Sequence, residues 1–240
     1  AGRHVLAEKP MATTQKDLDA LREAAAASGK ELRTMTNMIY LPAFKAARDM
    51  VAAGTLGTIV QTYAMKSYPY RDTRPQDRGV DGGLLMQAGI HAVSFVRYVT
   101  GLEFVEGFAQ DTSRGNPKPG QLQMGGVMSF RMNDGSLCTI LCNYCNPPGI
   151  GFWGNDQLRV HGTGGMIELV DGLTRRAMAV KDQAATTFED GKPEREYPQD
   201  LIDCILDGTP TLLTQEDSFR NTQAVIRGQE SADKGGVLLR

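Results

Sequence analysis

Apolar residues near the start of the chain recur first with strand and then with helix periodicity. Residues 3–38 read as strand, helix and strand, with an apolar helical stripe formed by Leu18, Leu21 and Ala25. Thr14 and Asp17 have the spacing of a helix N-cap pair, and Gly29 supplies the stop signal. These patterns predict one βαβ unit.

A second helical pattern begins at Pro42 and ends at Gly54. Its apolar face consists of Phe44, Ala47 and Val51. A strand pattern follows at about residues 58–67, and after a polar loop a third helical pattern runs from Gly83 to about Thr100. This part of the chain continues the alternation of helices and strands.

From about residue 123 the chain changes to short strand patterns separated by turn sequences. Over residues 123–131, Met124, Met128 and Phe130 alternate with polar residues, as in a strand with one face in solvent. The turn sequences are Asn133-Asp134-Gly135, Gly162-Thr163-Gly164-Gly165 and Asp171-Gly172. The last fifty residues predict two helices. One has Leu201, Ile202, Ile205 and Leu206 on a face, and the other is capped by Thr214 and Asp217.

Alternating elements followed by a strand-rich block predict an α/β (α+β) fold class. A piece of a parallel α/β layer comes first, and a predominantly antiparallel open sheet with helices follows it. A meander of this kind leaves one sheet face in need of cover, and the last fifty residues supply two helices.

The composition excludes two classes of partner. The chain has 240 residues, 41% of them hydrophobic, which suffices for one large domain or two small ones. Its 26 Lys and Arg residues against 28 Asp and Glu leave no net field that favours nucleic acid or an anionic membrane. No apolar run approaches the roughly 20 residues that span a bilayer. We expect a cytoplasmic protein with no nucleic-acid or membrane partner.

Three of the four cysteines form a C-x3-C-x2-C spacing, which some iron–sulfur sites share. Residues 136–144 read as a strand after the Asn-Asp-Gly turn, so Cys138 and Cys142 share one face while Cys145 points to the other. Three thiolates cannot converge from opposite faces of a strand. We therefore expect free thiols in a reducing compartment and no metal site.

Three segments together carry a family resemblance. They are Arg3 to Ala7 leading into Glu8-Lys9-Pro10, the run from Gly82 to His91, and the chain's ending from Thr214 to Gly235. In this order and spacing they resemble the glucose-fructose oxidoreductase / inositol dehydrogenase (Gfo/Idh/MocA) family of NAD(P)-dependent sugar dehydrogenases. The resemblance runs over essentially all of the chain but begins partway into the family's first domain. It implies that residues 1–38 are the C-terminal remnant of a dinucleotide-binding Rossmann domain, and that residues 39–240 form a substrate-binding and oligomerisation domain.

A glycine-rich turn that binds a dinucleotide must lie between a strand and a helix. The one G-x-G-x-x-G, at residues 149–154, follows two prolines and leads into a strand pattern, so it is expected to be a loop near the substrate or a neighbouring subunit. The family's own glycine motif would precede Arg3. A fragment, a split polypeptide and a protein that has lost its cofactor all fit this pattern. An export signal upstream of the first residue would change the expected location.

Gln87, His91 and Ser94 are spaced by four and three residues, so they share one face of the third predicted helix. The matching family positions carry Asp, His and Asp, and the first two join the lysine of Glu-Lys-Pro around the substrate hydroxyl. Lys9 and His91 match that pattern, whereas Gln87 and Ser94 depart from it.

The resemblance implies a role for each of these residues. His91 is the expected base, because its ordinary pKa lies near neutrality. Lys9 would hydrogen-bond the reacting oxygen, Gln87 would orient a hydroxyl, and Glu8 and Pro10 would fix the turn beside the cofactor. Lys9, His91 and Gln87 are therefore the catalytic candidates. The substrate-binding candidates are Tyr68, Tyr70, Arg71, Gln87 and Ser94.

The resulting expectation is an oxidoreductase that uses NAD or NADP to oxidise a sugar, cyclitol or related polyol. The open sheet would form a homodimer or homotetramer. A non-catalytic ligand-binding or assembly protein is one alternative, favoured by Gln87, Ser94 and the missing glycines. An NAD-assisted glycosidase is another.

Overall fold

The computed structural model describes residues 2–190, 193 and 195–239. The helices are α1 (Gln15–Ser28), α2 (Pro42–Ala52), α3 (Leu84–Gln87), α4 (Gly89–Thr100), α5 (Gln199–Asp207) and α6 (Gln215–Asp233). The strands are β1 (Val5–Ala7), β2 (Leu32–Thr34), β3 (Ile59–Ser67), β4 (Phe104–Thr112), β5 (Gly125–Met132), β6 (Leu137–Asn143), β7 (Gln157–Gly162), β8 (Gly165–Val170), β9 (Arg175–Val180) and β10 (Thr186–Thr187).

The predicted βαβ unit is confirmed at the start of the chain. Strands β1 and β2 pair in parallel as a two-stranded sheet, and α1 connects them. The Thr14 hydroxyl accepts a hydrogen bond from the Asp17 N–H, which satisfies one orphan donor of the first helical turn. Gly29 ends the helix in the left-handed conformation, at φ 61°.

The second sheet has eight strands in the order β10-β9-β8-β7-β3-β6-β5-β4. Its neighbours are antiparallel except for β3 and β6, which pair in parallel. A small parallel layer followed by a large, mostly antiparallel sheet is the predicted fold class. The parallel pair brings the carboxyl ends of β3 and β6 to one edge of the sheet.

The two faces of the large sheet differ in burial. One face carries a cross-strand row of fully buried side chains, which are Ala109, Met128, Ile140, Ala64 and Leu158. Helices α3, α4 and α6 lie against the strands of this sheet. The other face carries the row Phe108, Ser129, Thr139 and Tyr63, and Phe108 is 43% exposed.

The predicted helix from Gly83 to Thr100 is broken into α3 and α4 at Ala88. The His91 N–H donates to the Ala88 carbonyl, three residues back, so the Gln87 carbonyl is left for another donor. Gly89, the first residue of α4, lies so close to the sheet that a Cβ there would come within 2.6 Å of the Met128 Cε. Local sequence signals predicted the helix but not this break.

Helix α5 is confirmed, but its predicted apolar face is only partly buried. Leu201 is buried, whereas Ile202 and Leu206 are 43% and 73% exposed. The helix is held by polar contacts, because the carboxylate of Asp200 accepts from the Tyr40 hydroxyl and the Leu212 N–H at 2.7 and 2.8 Å. The apolar spacing therefore predicted the helix and not its contacts.

The cysteines lie as the strand pattern predicted. Cys138 and Cys142 are buried on the covered face of the sheet and Cys145 is exposed. Burial raises the pKa of the Cys142 thiol to about 12, and it raises that of Cys138 further. In the 149–154 segment, the 3₁₀ turn Pro148–Ile150 leads to β7 with no helix between them. That arrangement lacks the helix N-terminus of a phosphate-binding loop.

Within the described residues, none of the helices is long and apolar enough to cross a membrane.

The N-cap of α6 offers a direct test of the fold. The Thr214 side chain and the Asp217 carboxylate form a reciprocal capping box. We expect Thr214→Ala to lower the free energy of unfolding by about 1 kcal/mol, because a first-turn N–H loses its acceptor. Urea unfolding measures the change. Ser113→Ala, in an exposed loop, should leave the midpoint unchanged, and an equal loss there would contradict the assignment.

Candidate active site

Lys9 lies just beyond the carboxyl end of β1 and reaches the break between α3 and α4. Its ammonium donates to the Gln87 carbonyl at 2.9 Å and to the Gln87 Oε1 at 2.7 Å. The Gln87 Nε2 donates to the Asp81 carbonyl at 2.7 Å, which fixes the orientation of the amide. The structure therefore brings two of the predicted catalytic residues into direct contact, although they are 78 residues apart in the sequence.

The ammonium of Lys9 is held where its charge is disfavoured. Burial lowers the pKa of Lys9 to about 8, and the charges of Arg74 and Lys66 act in the same direction. The carboxylates of Glu8 and Asp81 oppose this effect. A lysine with a pKa this close to neutrality can both donate and accept a proton under ordinary conditions.

His91 is buried on α4, and its Nδ1 has no hydrogen-bond partner among the described residues. Burial lowers the pKa of the imidazole well below its usual value, and the nearby charges of Lys66 and Lys9 lower it further. The ring is therefore neutral at pH 7. The ordinary pKa of histidine made His91 the expected base. Burial and the nearby charges lower that pKa, so His91 is a weaker base than expected.

Ser94 is buried one turn further along α4, and its Oγ lacks a partner in the described part of the chain. It lines a cavity of about 180 Å³ together with Arg97, Leu213 and Asn221. That cavity lies between α4 and α6. The helical spacing groups Ser94 with Gln87 and His91, but the structure places its side chain in a separate cavity.

A buried charged pair of the site, Lys66 and Asp156, was missed from the sequence. Lys66 is buried on β3, and its Nζ lies 2.7 Å from the Asp156 Oδ2. The other carboxylate oxygen of Asp156 is buried without a partner in the described structure. A signal for Lys66 existed, because it continues the inward phase of Thr62 and Ala64 on a strand where a lysine is out of place.

Five aromatic and cationic side chains follow one another along the wall of the site. The guanidinium of Arg71 lies 4.0 Å from the centroid of the Trp153 ring, and that ring lies 5.9 Å from the Tyr68 ring. The Arg74 guanidinium lies 5.8 Å from the Tyr68 ring. It also lies 3.7 Å from the Tyr144 ring, and its Nη1 donates to the Tyr144 hydroxyl at 3.0 Å.

Of the predicted substrate contacts, Tyr68 and Arg71 belong to this wall. Tyr68 also faces the ammonium of Lys66, whose Nζ lies 4.8 Å from the ring centroid. Tyr70, two residues further along the same loop, packs against the hydrophobic core. Trp153, Arg74 and Tyr144 were not predicted as site residues. Arg74 shares the loop of Tyr68 and Arg71, whereas nothing local in the sequence connects that loop with the segment that carries Tyr144 and Trp153.

The cofactor-side residues Glu8 and Pro10 flank Lys9. Glu8 is exposed, and its Oε2 accepts the Lys9 backbone N–H at 3.1 Å. Pro10 borders an open depression of about 520 Å³, together with Met11, Thr13, Asp17 and Leu21. The turn after β1 therefore presents the lysine between this depression on one side and Gln87 on the other.

Known proteins resemble this chain in sequence. It is 27% identical over 209 residues to 1,5-anhydro-D-fructose reductase of Ensifer adhaerens, a match that covers 83% of this chain and 58% of the relative. It is 32% identical over 130 residues to dTDP-3,4-didehydro-2,6-dideoxy-alpha-D-glucose 3-reductase of Streptomyces violaceoruber, covering 52% of this chain and 38% of that protein. The chain thus spans a little more than half the length of the first relative and less than half the length of the second.

Solved structures share the fold over almost the whole chain. An oxidoreductase from Thermotoga maritima matches with a TM-score of 0.90 and 25% identity, covering 98% of this chain and 72% of that one. An inositol dehydrogenase homolog from Azotobacter vinelandii, complexed with NADH and myo-inositol, matches with a TM-score of 0.78 and 17% identity. That match covers 99% of this chain and 72% of the homolog.

A family model described as the GFO/IDH/MocA C-terminal domain matches residues 44–168, which is more than half of the chain. This segment contains the break between α3 and α4, together with Gln87, His91 and Lys66. The chain belongs to the GFO/IDH/MocA family.

Proposed function

We propose that this protein is an NAD(P)-dependent oxidoreductase that acts on a sugar, cyclitol or related polyol, with Lys9 at the reacting hydroxyl. The observation that carries the proposal is the contact between the Lys9 ammonium and Gln87, in a setting that lowers the pKa of the lysine to about 8. The named activities of the similar reductases, on anhydrofructose and on a dTDP-sugar, support a sugar-like substrate.

The residues after β1 fit the nicotinamide end of a dinucleotide. Dinucleotides bind at the carboxyl edge of parallel strands, and Lys9 lies at that edge of the β1–β2 pair. Glu8, Lys9 and Pro10 would border the nicotinamide, with the open depression beside Pro10 leaving room for it. A bound nicotinamide supplies hydride exchange at the substrate carbon. The NADH complex of the Azotobacter homolog supports this placement by its fold alone.

Oxidation of an alcohol also requires removal of the hydroxyl proton. Lys9, with a pKa of about 8, exchanges a proton with the reacting oxygen, and its cationic form stabilises a developing alkoxide. His91 remains neutral and is a hydrogen-bond partner for the substrate rather than a strong base. Both ends of the Gln87 amide are engaged, so Gln87 orients the lysine.

We further propose that residues 1–38 belong to the dinucleotide-binding domain and residues 39–240 to the substrate and oligomer domain. Hydrogen bonds connect the two proposed domains. The Leu32 N–H donates to the Gln215 Oε1 at 2.7 Å, and the Arg33 Nη1 donates to the Leu213 carbonyl at 2.8 Å. Helix α6 therefore supports the first unit while it covers the second.

The half-exposed face of the large sheet is the proposed surface for a homodimer or homotetramer. Phe108 and Leu137 lie on this face and are 43% and 50% exposed. Large apolar side chains on a flat face are typical of subunit contacts.

Assays of nicotinamide turnover and of ligand binding separate this function from that of a non-catalytic binding protein. The polypeptide from its natural source and the 240-residue chain are each mixed with NAD+ or NADP+ and a panel of polyols, and absorbance at 340 nm is followed. Formation of NADH or NADPH supports the proposal. Saturable ligand binding without any nicotinamide turnover would favour the binding protein, and release of phenol from a chromogenic glycoside would favour the glycosidase.

The lowered pKa of Lys9 predicts the pH dependence of turnover. Polyol oxidation should rise as pH increases through about 8, since the neutral amine accepts the proton, and the reverse reduction should fall over the same interval. Lys9→Met should lower kcat by roughly 10²- to 10⁴-fold. Lys16→Met, at an exposed lysine of α1, is the matched control. An unaltered pH profile in Lys9→Met would overturn the role of Lys9.

Gln87→Glu tests the contact with Lys9. It puts a carboxylate where the amide oxygen lies 2.7 Å from the ammonium, and an opposite charge at that distance stabilises the protonated lysine. We expect the midpoint of the oxidation profile to move up by at least about 1 pH unit. Gln121→Glu, in an exposed loop, should leave it in place. A downward movement would show that Lys9 is not the titrating group.

Phe108→Glu tests the sheet surface. A carboxylate in the centre of a buried apolar contact is strongly unfavourable, so the variant should elute and scatter light as a monomer while the parent chain is a dimer or tetramer. Val80→Glu, at an exposed loop position outside the sheet, is the control. A monomeric parent chain, or an unchanged oligomer in Phe108→Glu, would contradict the proposal.

A further inference from the structure

The wall of the site is a continuous series of arginine and aromatic side chains. We name it the cation–aromatic ladder, and its members in order are Arg71, Trp153, Tyr68, Arg74 and Tyr144. Successive members lie between 3.7 and 5.9 Å apart. The outer end is exposed at Arg71 and Trp153, and the inner end is buried at Tyr144. The ladder therefore runs from the protein surface to the interior.

The backbone fixes the ladder in place. Its members lie on the segments that follow β3 and β6, the two parallel strands, and these segments are hydrogen-bonded to each other. The Tyr68 N–H donates to the Asn143 carbonyl at 3.0 Å. The buried Asn146 side chain donates to the carbonyls of Ser67 and Trp153 at 3.0 and 3.2 Å. A wall held by such contacts is preorganised for a ligand.

The inner part of the ladder adjoins the catalytic candidates. The ring of Tyr68 lies beneath the Lys66 ammonium, and the charges of both Lys66 and Arg74 lower the pKa of Lys9. The charge of the buried Lys66 also lowers the pKa of His91. A ligand whose hydroxyl meets Lys9 would therefore have its remaining atoms against the ladder.

The two arginines of the ladder lie on aromatic rings and not on carboxylates. Within the described residues neither Arg71 nor Arg74 forms an ion pair, while the neighbouring carboxylates of Asp72 and Asp156 are paired with Lys118 and Lys66. The carboxylates of Glu8 and Asp81 raise the pKa of Lys9. An arginine stacked on a ring keeps the N–H groups at its edge available for a planar anion.

Trp153 supplies an apolar surface beside these charges. Arg71 covers one face of the indole, yet the residue is still 47% exposed, so the rest of the ring is open to a ligand. The C–H groups of a sugar ring pack well on such a surface, and Arg71 beside the indole is suited to an acid group on the same ring.

We propose that the cation–aromatic ladder binds an acidic sugar, whose ring packs on Trp153 and whose carboxylate or phosphate is held by Arg71. This deepens the function proposed above and rests on it, since it assigns the substrate of that site to the anionic members of the sugar class. A neutral polyol would leave Arg71 without an anion.

Trp153 is the single tryptophan of the chain, so its fluorescence reports on the ladder alone. We would titrate the 240-residue chain with D-glucuronate, D-glucose 6-phosphate and D-glucose, which share a ring and differ at carbon 6. Saturable quenching by at least one acidic probe, at an affinity about 10- to 100-fold above that of glucose, is expected for a charge-assisted arginine contact. Comparing the two acids separates a carboxylate from a phosphate ligand.

Arg71→Gln should bring the affinity for the acidic probe down towards that for glucose. Arg71 is exposed, so its replacement leaves the fold intact. Arg114→Gln, at an exposed loop arginine, is the matched control and should change nothing. Raising the salt concentration should weaken binding of the acids and leave that of glucose unchanged.

Equal affinity for glucose and the acids would overturn the inference, and so would the absence of quenching by both acids or an acid preference that survives in Arg71→Gln. The measurement needs no nicotinamide. Acid-selective quenching without turnover would therefore retain the ladder and remove the proposed oxidoreductase. Turnover of neutral polyols with no acid-selective quenching would retain the proposed oxidoreductase and remove the ladder as an acid-binding site.

Discussion

The ammonium of Lys9 needs hydrogen-bond acceptors in a largely buried space, and the break between α3 and α4 supplies two of them. A continuous helix would use the Gln87 carbonyl internally, for the N–H four residues later. Here the His91 N–H turns to Ala88 instead, and the Gln87 carbonyl and side-chain oxygen both accept from Lys9. The same contact fastens the first βαβ unit to the helices that cover the large sheet.

Around that contact, charge controls the protonation of the site. Lys9 and Lys66 bring two cations close to the buried imidazole of His91, and Arg74 adds a third charge that acts on Lys9. Among the described residues, the Asp156 carboxylate is in direct contact with the Lys66 ammonium. Mutual repulsion and burial keep His91 neutral and bring the pKa of Lys9 to about 8. Gln87, which carries no charge, preserves this balance where a carboxylate would raise the pKa of the lysine.

The geometry of the site depends on one exception in the sheet. Six of the seven strand pairings described in this sheet are antiparallel, but β3 and β6 pair in parallel near its centre. Their carboxyl ends therefore lie side by side, and the segments that leave them carry Tyr68, Arg71 and Arg74 on one side and Tyr144 and Trp153 on the other. The glycine-rich 149–154 segment belongs to this wall.

The sequence by itself determined the elements and their class. Caps at Thr14, Gly29 and Thr214 and the alternation of apolar residues act over a few neighbours, so they predicted helices, strands and turns and the small parallel unit followed by an antiparallel sheet. The family motif likewise indicated Lys9, Gln87 and His91. The apolar face of α5 shows the limit of such signals, because spacing reports which side chains share a face and not what covers it.

Only the tertiary structure decided the chemistry of these residues. The break at Ala88, the burial that lowers the pKa values of Lys9 and His91, the pairing of Lys66 with Asp156 and the cation–aromatic ladder all join positions that are tens of residues apart. Desolvation and charge–charge repulsion depend on distances in space, which no local pattern of side chains encodes. The sequence names Lys9, Gln87 and His91, whereas their protonation, their partners and the other members of the site follow from the packing of the sheet and helices around them.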